Sequence, residues 1–577
     1  MDAICGILGK SDIVAVRAMA AAMSHRGDAR HLLGGDAFTV ASSSPLDEGC
    51  PCLVDGEPRD ESGRRLSTEA LQQRCSKVAE PSHLSVRGGF SAAVRVGKAW
   101  WLIRDRLGVK PLYYALCEDC CVFASELKGI LASGYVRKHL NLASVDRYLT
   151  LRCVPGPDSI IQGVSRVVPG HVVAYAHTLK REQHTITDAA HACFDLAIRD
   201  TSRDDAADAL RDRLREAVDA TRAEVLLWSA GLDCAALGAL KPGCQPVFVT
   251  LKSAWQEESW RARESARLMG LSLKQVKAPG ITETTFARVA YHLDEPIADA
   301  FVLPLWSVAE QAAEVAPILM SGHGADELLG GYPRYHFLQK AQGAKRLVPS
   351  GLLSSLAPML PPNVFVRRGE RYLTSLDDNI ESFMSLLAVF DSSEREELYT
   401  DAMKAAIYEK GGSASILRPH FAGQDLTRNL LSLALNVVMP ALLLAKCDRI
   451  AAAHGVSLEL PYLDDALVDL AISLPPAVKF GVRSKPVLRQ AMKGVLPGRI
   501  RLRARRDFKI PQSGPALRVI DSVAREIVTQ ERVVASGLFK WSYVDQVMRS
   551  AAHNVYRRRQ FWALLMFFAW HREMMET

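Results

Sequence analysis

Residues 224–235 read Glu-Val-Leu-Leu-Trp-Ser-Ala-Gly-Leu-Asp-Cys-Ala, and this stretch decides the fold class of the second half of the chain. A buried-strand run, Glu224–Trp228, gives way to a turn of small residues and then to a helix. Small residues let a backbone approach a phosphate closely, and the free N–H groups at a helix start supply positive potential for a pyrophosphate. Ser229, Ala230, Gly231, Leu232, Asp233 and Cys234 are therefore the expected nucleotide-binding turn, with the Ser229 hydroxyl as an added donor. Read alone, the turn also fits a tight strand–helix connection that binds nothing. Asp233 falls one carboxylate short of the usual phosphate-bridging magnesium site, which takes one or two.

Working outward, the same alternation recurs. Pro246–Leu251 predicts a second strand, followed by a helix over Glu257–Met269. Leu273–Val276 predicts a third strand and Ala316–Met320 another. Strand–helix alternation at this spacing implies a parallel, doubly wound sheet. After Met320 comes Ser321-Gly322-His323-Gly324-Ala325-Asp326-Glu327, again a strand followed by a glycine-rich turn. Ligands bind beyond the carboxyl ends of such strands, so Asp233 and Asp326 can meet over one metal, with Ser321, Gly322 and Gly324 lining the same place. Beyond residue 340 the chain is expected to be largely helical. The first 130 residues have another texture, with short β-like runs at Ile4–Leu8, Ala37–Ala41, Phe90–Val94, Ala99–Ile103 and Cys121–Ala124 and a helix over Ile13–Met23. His171–Ala176 adds a last run, and Thr185–Ile198 leads into a charged helix, Asp204–Ala220. Two domains are expected, residues 1–190 and 191–577.

Of 577 residues, 48% are hydrophobic and 23% charged, which excludes disordered and collagen-like classes. The apolar run Leu430–Ala445 is too short for a membrane span, and Asp2 and Lys10 do not suit a secretory signal, so a cytoplasmic protein with no membrane partner is expected. Net charge is +7, and the local clusters Arg499–Arg506 and Arg557–Arg559 fit either solvated faces or contact with a polyanion. A nucleic-acid partner is not expected. Twelve cysteines lie at irregular spacing, which predicts reduced thiols and no zinc site.

The turn at 229–235, SGHGADELLGGYPRY at 321–335, KCDR at 446–449, LELPYLD at 458–464 and KPVLR at 485–489 together resemble the synthetase domain of the asparagine synthetase family. RRDFKIP at 505–511 sits where that family has a basic-Gly-Phe-Pro motif. In the first half, Ile4–Gly9, His25-Arg26-Gly27, VDGE at 54–57, IRDRLGVKPLYY at 103–114 and FASELK at 123–128 resemble a class II glutamine amidotransferase domain. The resemblance implies an α+β N-terminal-nucleophile sandwich, two β-sheets between helices, followed by an α/β parallel-sheet ATP-pyrophosphatase domain with a largely helical C-terminal part. It also implies ATP and Mg²⁺, activation of a carboxylate to an acyl-adenylate, and attack by an amine. By position in these motifs, Lys485 neutralises charge on the α-phosphate, the strand ending at Leu251 borders the adenosine, and Glu258 matches an acidic position that follows. Asp448 and Arg449 are expected to pair with each other. Asp294, Glu295 and Asp299 are expected to line the substrate cavity.

Two departures matter. In glutamine-hydrolysing members the thiol nucleophile is the mature N-terminal residue, its own amine serving as base. Cys5 follows four residues, so its nitrogen is a peptide amide. The Asn-Gly motif has become Asp55-Gly56, whose carboxylate would oppose an oxyanion. The Arg-Leu-Ser motif has no match in Phe38–Gly49, and Ser67 stands where an acidic residue is expected. An inactive glutaminase is the expectation. At the acceptor motif, His323 replaces the family's Glu, and an imidazole with a pKa near 6.5 suits removal of a proton from an ammonium nucleophile. An amine already on the substrate would then give an intramolecular amide. His323 makes the chain look most like a lasso peptide cyclase, acting on a precursor peptide with a leader-peptide-binding protein and a protease. The alternatives are an asparagine synthetase or a β-lactam synthetase acting on a small amino acid.

Overall fold

The computed structural model describes residues 2–49, 51–178, 183–192, 194, 197–251, 256–278, 281–332, 380, 384, 388–410, 413–421, 426–504 and 514–576. The first eleven strands are β1 (Ile4–Leu8), β2 (His31–Gly35), β3 (Phe38–Ser42), β4 (Cys52–Gly56), β5 (Phe90–Val96), β6 (Ala99–Arg104), β7 (Tyr113–Leu116), β8 (Cys121–Ala124), β9 (Val164–Arg166), β10 (His171–Thr178) and β11 (Gln183–Ala190). They form two antiparallel sheets, ordered β2-β3-β1-β8-β7-β9 and β11-β10-β6-β5-β4.

Alternation along each strand sends successive side chains to opposite faces. Ile4, Leu8, Val40 and Phe123 of one sheet meet Leu53, Ala93, Leu102 and Tyr175 of the other in a shared core. The opposite face of the first sheet, with Cys5, Ile7 and Val122, packs on Val16, Met19 and Met23 in and just after helix Ile13–Ala22. The outer face of the second, with Phe90, Val94 and Ile103, packs on Leu71 and Cys75 of helix Thr68–Lys77. The result is two sheets between helices. Burial on both faces explains why these strands read as continuous apolar runs. The segment Thr185–Ile198 begins inside β11, which pairs antiparallel with β10 from His171↔Ala190 to Thr178↔Gln183.

Helix Arg203–Asp219 follows. Its start is capped by the Ser202 hydroxyl, which accepts from Asp205 N, and Ala206, Leu210, Leu214 and Val218 make its buried stripe. Next come β12 (Val225–Leu227), β13 (Gln245–Leu251), β14 (Lys274–Ala278), β15 (Ile318–Met320) and β16 (Ser457–Glu459), all parallel, in the order β14-β13-β12-β15-β16. The order reverses at β12, which has β13 on one side and β15 on the other. The turns after β12 and β15 therefore flank the crevice where open parallel sheets bind ligands.

The run Leu430–Ala445 is part of one continuous helix over Arg428–Ala453, 26 residues long. Its hydrogen bonding widens over Ala434–Leu444, where Pro440 lacks an N–H to donate. By length and composition it could cross a bilayer, contrary to the reading of the sequence. In the structure, 78% of its most apolar window is buried in protein, so it serves as a core helix. Helix Val555–Met575 is likewise interior, with Trp562, Phe567 and Trp570 fully covered.

Candidate active site

The turn after β12 is open: Ser229 is exposed, and Ala230, Gly231 and Leu232 are half-buried. Gly231 caps helix Leu232–Leu240, and its N–H donates to Ser229 Oγ at 3.2 Å. Ser229 Oγ also donates to Cys234 Sγ at 3.3 Å, and burial pushes that thiol up. The turn after β15 lies directly against it. A Cβ on Gly322 would stand 3.0 Å from Asp233 Cβ, and one on Gly324, at φ +95°, would collide with Leu463 Cδ2 at 2.4 Å. A side chain at 322 would crowd the first turn, and one at 324 would crowd Leu463.

Lys485 closes the site from a distant segment. It caps helix Pro486–Ala491 in the left-handed region, φ +53°, a conformation that costs a non-glycine residue about 1–3 kcal/mol and collects at functional sites. Its Nζ donates to both Asp233 oxygens at 2.5 Å and lies 2.6 Å from Asp326 Oδ1. Burial alone would lower this lysine, but the two carboxylates outweigh it and hold the pKa above the usual value. Gly331 is packed on the same cluster, where a Cβ would come within 1.8 Å of Asp326 Oδ1. Asp233 and Asp326 thus converge on one ammonium at the carboxyl edge of the sheet. Among the described residues no group of three or more His, Cys, Asp or Glu side chains could hold a metal. The donor set fits a phosphate-bridging cation, which needs only one or two carboxylates. Leu251 ends β13 opposite Ala278 of β14. Glu258 is half-buried on helix Gln256–Leu268. Residues 333–335 and 505–511 of the quoted motifs lie outside the described residues.

Beside this cluster lies His323. Its Nδ1 shares a 2.6 Å hydrogen bond with the Ser321 hydroxyl, and its ring centroid is 5.7 Å from that of Phe301. Lys446 pairs with Asp299 and sits 5.5 Å from the Phe301 centroid. Burial, then the Lys446 charge, pushes His323 down to about 4 rather than leaving it near 6.5. The imidazole is therefore neutral at physiological pH and a weaker proton acceptor than its type suggests. Asp299 is drawn down to about 2, as Lys446 and Arg152 outweigh its burial.

Asp448, Arg449, Asp294 and Glu295 take other partners than the sequence suggests, whereas Asp464 caps a helix, the role its place after Pro-Tyr-Leu favours. Asp448 and Arg449 do not pair with each other. Asp448 accepts from Arg26 Nη1 at 2.8 Å and from Lys110 Nζ at 2.7 Å. Arg449 donates to the Tyr113 hydroxyl and lies 3.7 Å from Asp294 and 3.8 Å from Glu295. Asp294 and Glu295 do not reach the crevice. Asp294 is fully buried and caps helix Leu127–Ala132, accepting from Leu127 N at 2.5 Å and Lys128 N at 2.9 Å. Glu295 accepts from Ile160 N at 2.8 Å and the Tyr113 hydroxyl at 2.7 Å, and pairs with Arg166. Glu459 accepts from Arg222 N and Ala223 N, and Asp464 caps helix Asp465–Ser473. At least one arginine of each basic cluster bonds within the protein. Arg503 pairs with Glu264 at 2.8 Å, and Arg558 donates to the carbonyls of Ala551 and Ala552.

The N-terminal strand of the amidotransferase-like half lies in the protein interior. Ala3, Ile4 and Cys5 are fully buried, Cys5 sits inside β1 between β3 and β8, and burial pushes its thiol up to about 12. Arg26 Nη2 donates to Asp55 Oδ2 at 2.8 Å, and its Nη1 reaches both Glu126 at 2.9 Å and Asp448. Lys128 also pairs with Glu126 and lies 3.1 Å from Asp294. Cations and carboxylates alternate through this network, the condition under which buried charge is tolerable.

A glycine-framed turn, two carboxylates on one lysine and a parallel-sheet switch point thus lie together at the carboxyl edge of the sheet. The asparagine synthase family matches residues 206–572, and the glutamine amidotransferase domain matches residues 65–186. The chain is 25% identical over 533 residues to asparagine synthetase (glutamine-hydrolyzing) 1 of Bacillus subtilis, covering 87% of this chain and 80% of that protein. To asparagine synthetase (glutamine-hydrolyzing) 3 of the same organism it is 23% identical over 558 residues, 89% of this chain and 82% of the relative. To amidase chry2 of Gibberella zeae it is 22% identical over 529 residues, 82% and 76% of the two chains. The chain belongs to the asparagine synthase family. It is an ATP-dependent carbon–nitrogen ligase that forms AMP and pyrophosphate.

Proposed function

We propose that this ligase activates a carboxylate on a substrate that already carries its amine, and closes an intramolecular amide. The best-fitting member is a lasso peptide cyclase, which joins the N-terminal amine of a precursor peptide to an Asp or Glu side chain. The observation that supports the reading is the burial of Cys5 inside β1. Its thiol lies inside a strand with a peptide nitrogen, and Asp55, held by Arg26, occupies the oxyanion motif. With no ammonia made in the chain, the nucleophile comes with the substrate.

Each residue has a part. The turn Ser229–Cys234 holds the pyrophosphate with backbone N–H groups and the Ser229 hydroxyl. Asp233 and Asp326 would hold Mg²⁺, which offsets phosphate charge when bound. Lys485 supplies the cation for the α-phosphate as the substrate carboxylate attacks. With His323 Nδ1 donating to Ser321, Nε2 keeps a lone pair for the incoming amine. The amine nitrogen becomes strongly acidic as it bonds to the acyl carbon, so even a base weakened by burial can take its proton. Having both ends on one molecule makes the closing step unimolecular, worth up to roughly 7–11 kcal/mol in well-oriented cases. A leader-peptide-binding protein and a protease would deliver and trim the peptide.

A second reading draws on the relatives, two of which are named glutamine-hydrolyzing asparagine synthetases. On it the substrate is aspartate; a β-lactam synthetase acting on a small amino acid is the remaining variant. Incubating the purified chain with ATP, Mg²⁺, aspartate and either ammonia or glutamine separates them. The cyclase reading expects no asparagine, but expects a precursor peptide to lose one water while AMP accumulates. Asparagine in the mixture overturns it.

A further inference from the structure

Helix Ala445–Ala453 is shared between the two halves of the molecule. From the two-sheet half, Arg26 and Lys110 grip Asp448 at 2.8 and 2.7 Å, and the Tyr113 hydroxyl accepts from Arg449. The Arg26 side chain has no exposed surface, and that of Asp448 is 4% exposed. Such a grip has little freedom, because a charge that shifts in a dry interior loses its partners without gaining water. Half a turn earlier on the same helix, Lys446 pairs with Asp299 beside Phe301 and His323. A helix moves as a rigid rod, so any rotation or slide at Asp448 is felt at Lys446.

We propose that Arg26 and Lys110 are positioning residues for the amide-forming step: by clamping Asp448 they fix the rotation and height of helix 445–453, and so place the Lys446–Asp299 pair beside His323. The amidotransferase-like half serves the reaction mechanically while supplying no ammonia, and in that respect the inference rests on the function proposed above. It also assigns a use to His25-Arg26-Gly27 and to Asp448, neither of which touches the nucleotide cluster through any of these bonds.

Replacing Arg26 alone strands several carboxylates and can unfold the chain. The variant to make is Arg26→Gln with Asp55→Asn, which removes one charge of each sign. Hydrogen exchange on the full-length chain needs no substrate. We expect faster exchange over residues 445–453 and 294–301, with the β12–β13 region unchanged. With a precursor peptide whose amine is blocked, ATP–pyrophosphate exchange should match wild type, since adenylation does not use the amine. With the free amine, cyclisation should slow by at least about tenfold, the scale of loss from small misplacements at a reacting centre. Arg26→Lys, which restores a cation, should recover part of that loss. Unchanged exchange over 445–453 overturns the proposal, as does a parallel fall of both half-reactions. If wild type cyclises no peptide, the functional reading fails while the exchange experiment still decides this one.

Discussion

Two of the clusters in which carboxylates converge on one basic side chain, around Lys485 and around Arg26, behave as opposites. Around Lys485, Asp233 and Asp326 keep 20% and 22% of their side-chain surface exposed, next to an open turn. Around Arg26, Asp55 and Glu126 are completely covered. Water access makes the difference. In the first cluster the ion pairs can be exchanged for a ligand's charges, because the displaced groups remain solvated. In the second, separation would strand charge in a low-dielectric interior. The same inventory of residues is open to exchange in one place and a fastener in the other.

The comparison can be broken from either side. Arg26→Met should lower stability by roughly 3–5 kcal/mol, the cost of leaving buried carboxylates unpaired, as read from a denaturant midpoint. A loss under about 1 kcal/mol would mean that the network is wetter than its burial indicates. Asp326→Ala should instead leave the denaturant midpoint close to wild type and cut substrate-dependent pyrophosphate release by about 10²–10³, the usual scale for removing an electrostatic stabiliser. Unchanged release would remove Asp326 from the site.

Acidification tests the buried histidines. Unfolded histidines take up protons near 6.5, but burial pushes His292 down to about 3 and His454 to about 4, and burial with Lys446 brings His323 to about 4. Between those values the unfolded chain binds protons that the folded chain refuses. Stability from these groups is therefore complete above about pH 6.5 and falls as pH drops toward 4, by about 1.4 kcal/mol per unit for each net proton. Asp105, raised by burial to about 6, works the other way and offsets part of the loss. Urea midpoints from pH 7 to 4.5 read the slope, and His454→Gln should flatten it. A slope of zero would mean that the histidines are not shielded. The smallest effect is expected from Cys5→Ala: about 1 kcal/mol of packing and no change in amide formation. Lost turnover would return the thiol to the reaction.

Most of the parallel sheet was legible because its turns announce themselves. Small residues after a short apolar run at 225–233 and 318–326 mark a strand–turn–helix unit, and the strands at 245–251 and 274–278 were expected within two residues. Strand β4 was not legible, since Cys-Leu-Val-Asp-Gly hides a fully buried Asp55 that reads as a loop residue. Strand β16 is three residues long and lies inside a motif. The pairing of Lys485 with both carboxylates went unread, because a lysine seen as a phosphate ligand gives no hint that it bridges two acids in this structure. Lys446 was likewise only part of a motif until the fold set it beside Asp299 and Phe301.

Sequence alone determined the strand-turn-helix units, the two acidic turns and the departures at Cys5, Asp55 and His323, because these are local: spacing, residue size and the presence or absence of a group. Only the tertiary structure decided which cation serves which carboxylate. Arg26 finds Asp448 across 422 residues of chain, and no periodicity records such a choice. Burial made it, since a charge taken out of water must settle on whatever opposite charge the packed fold brings within reach.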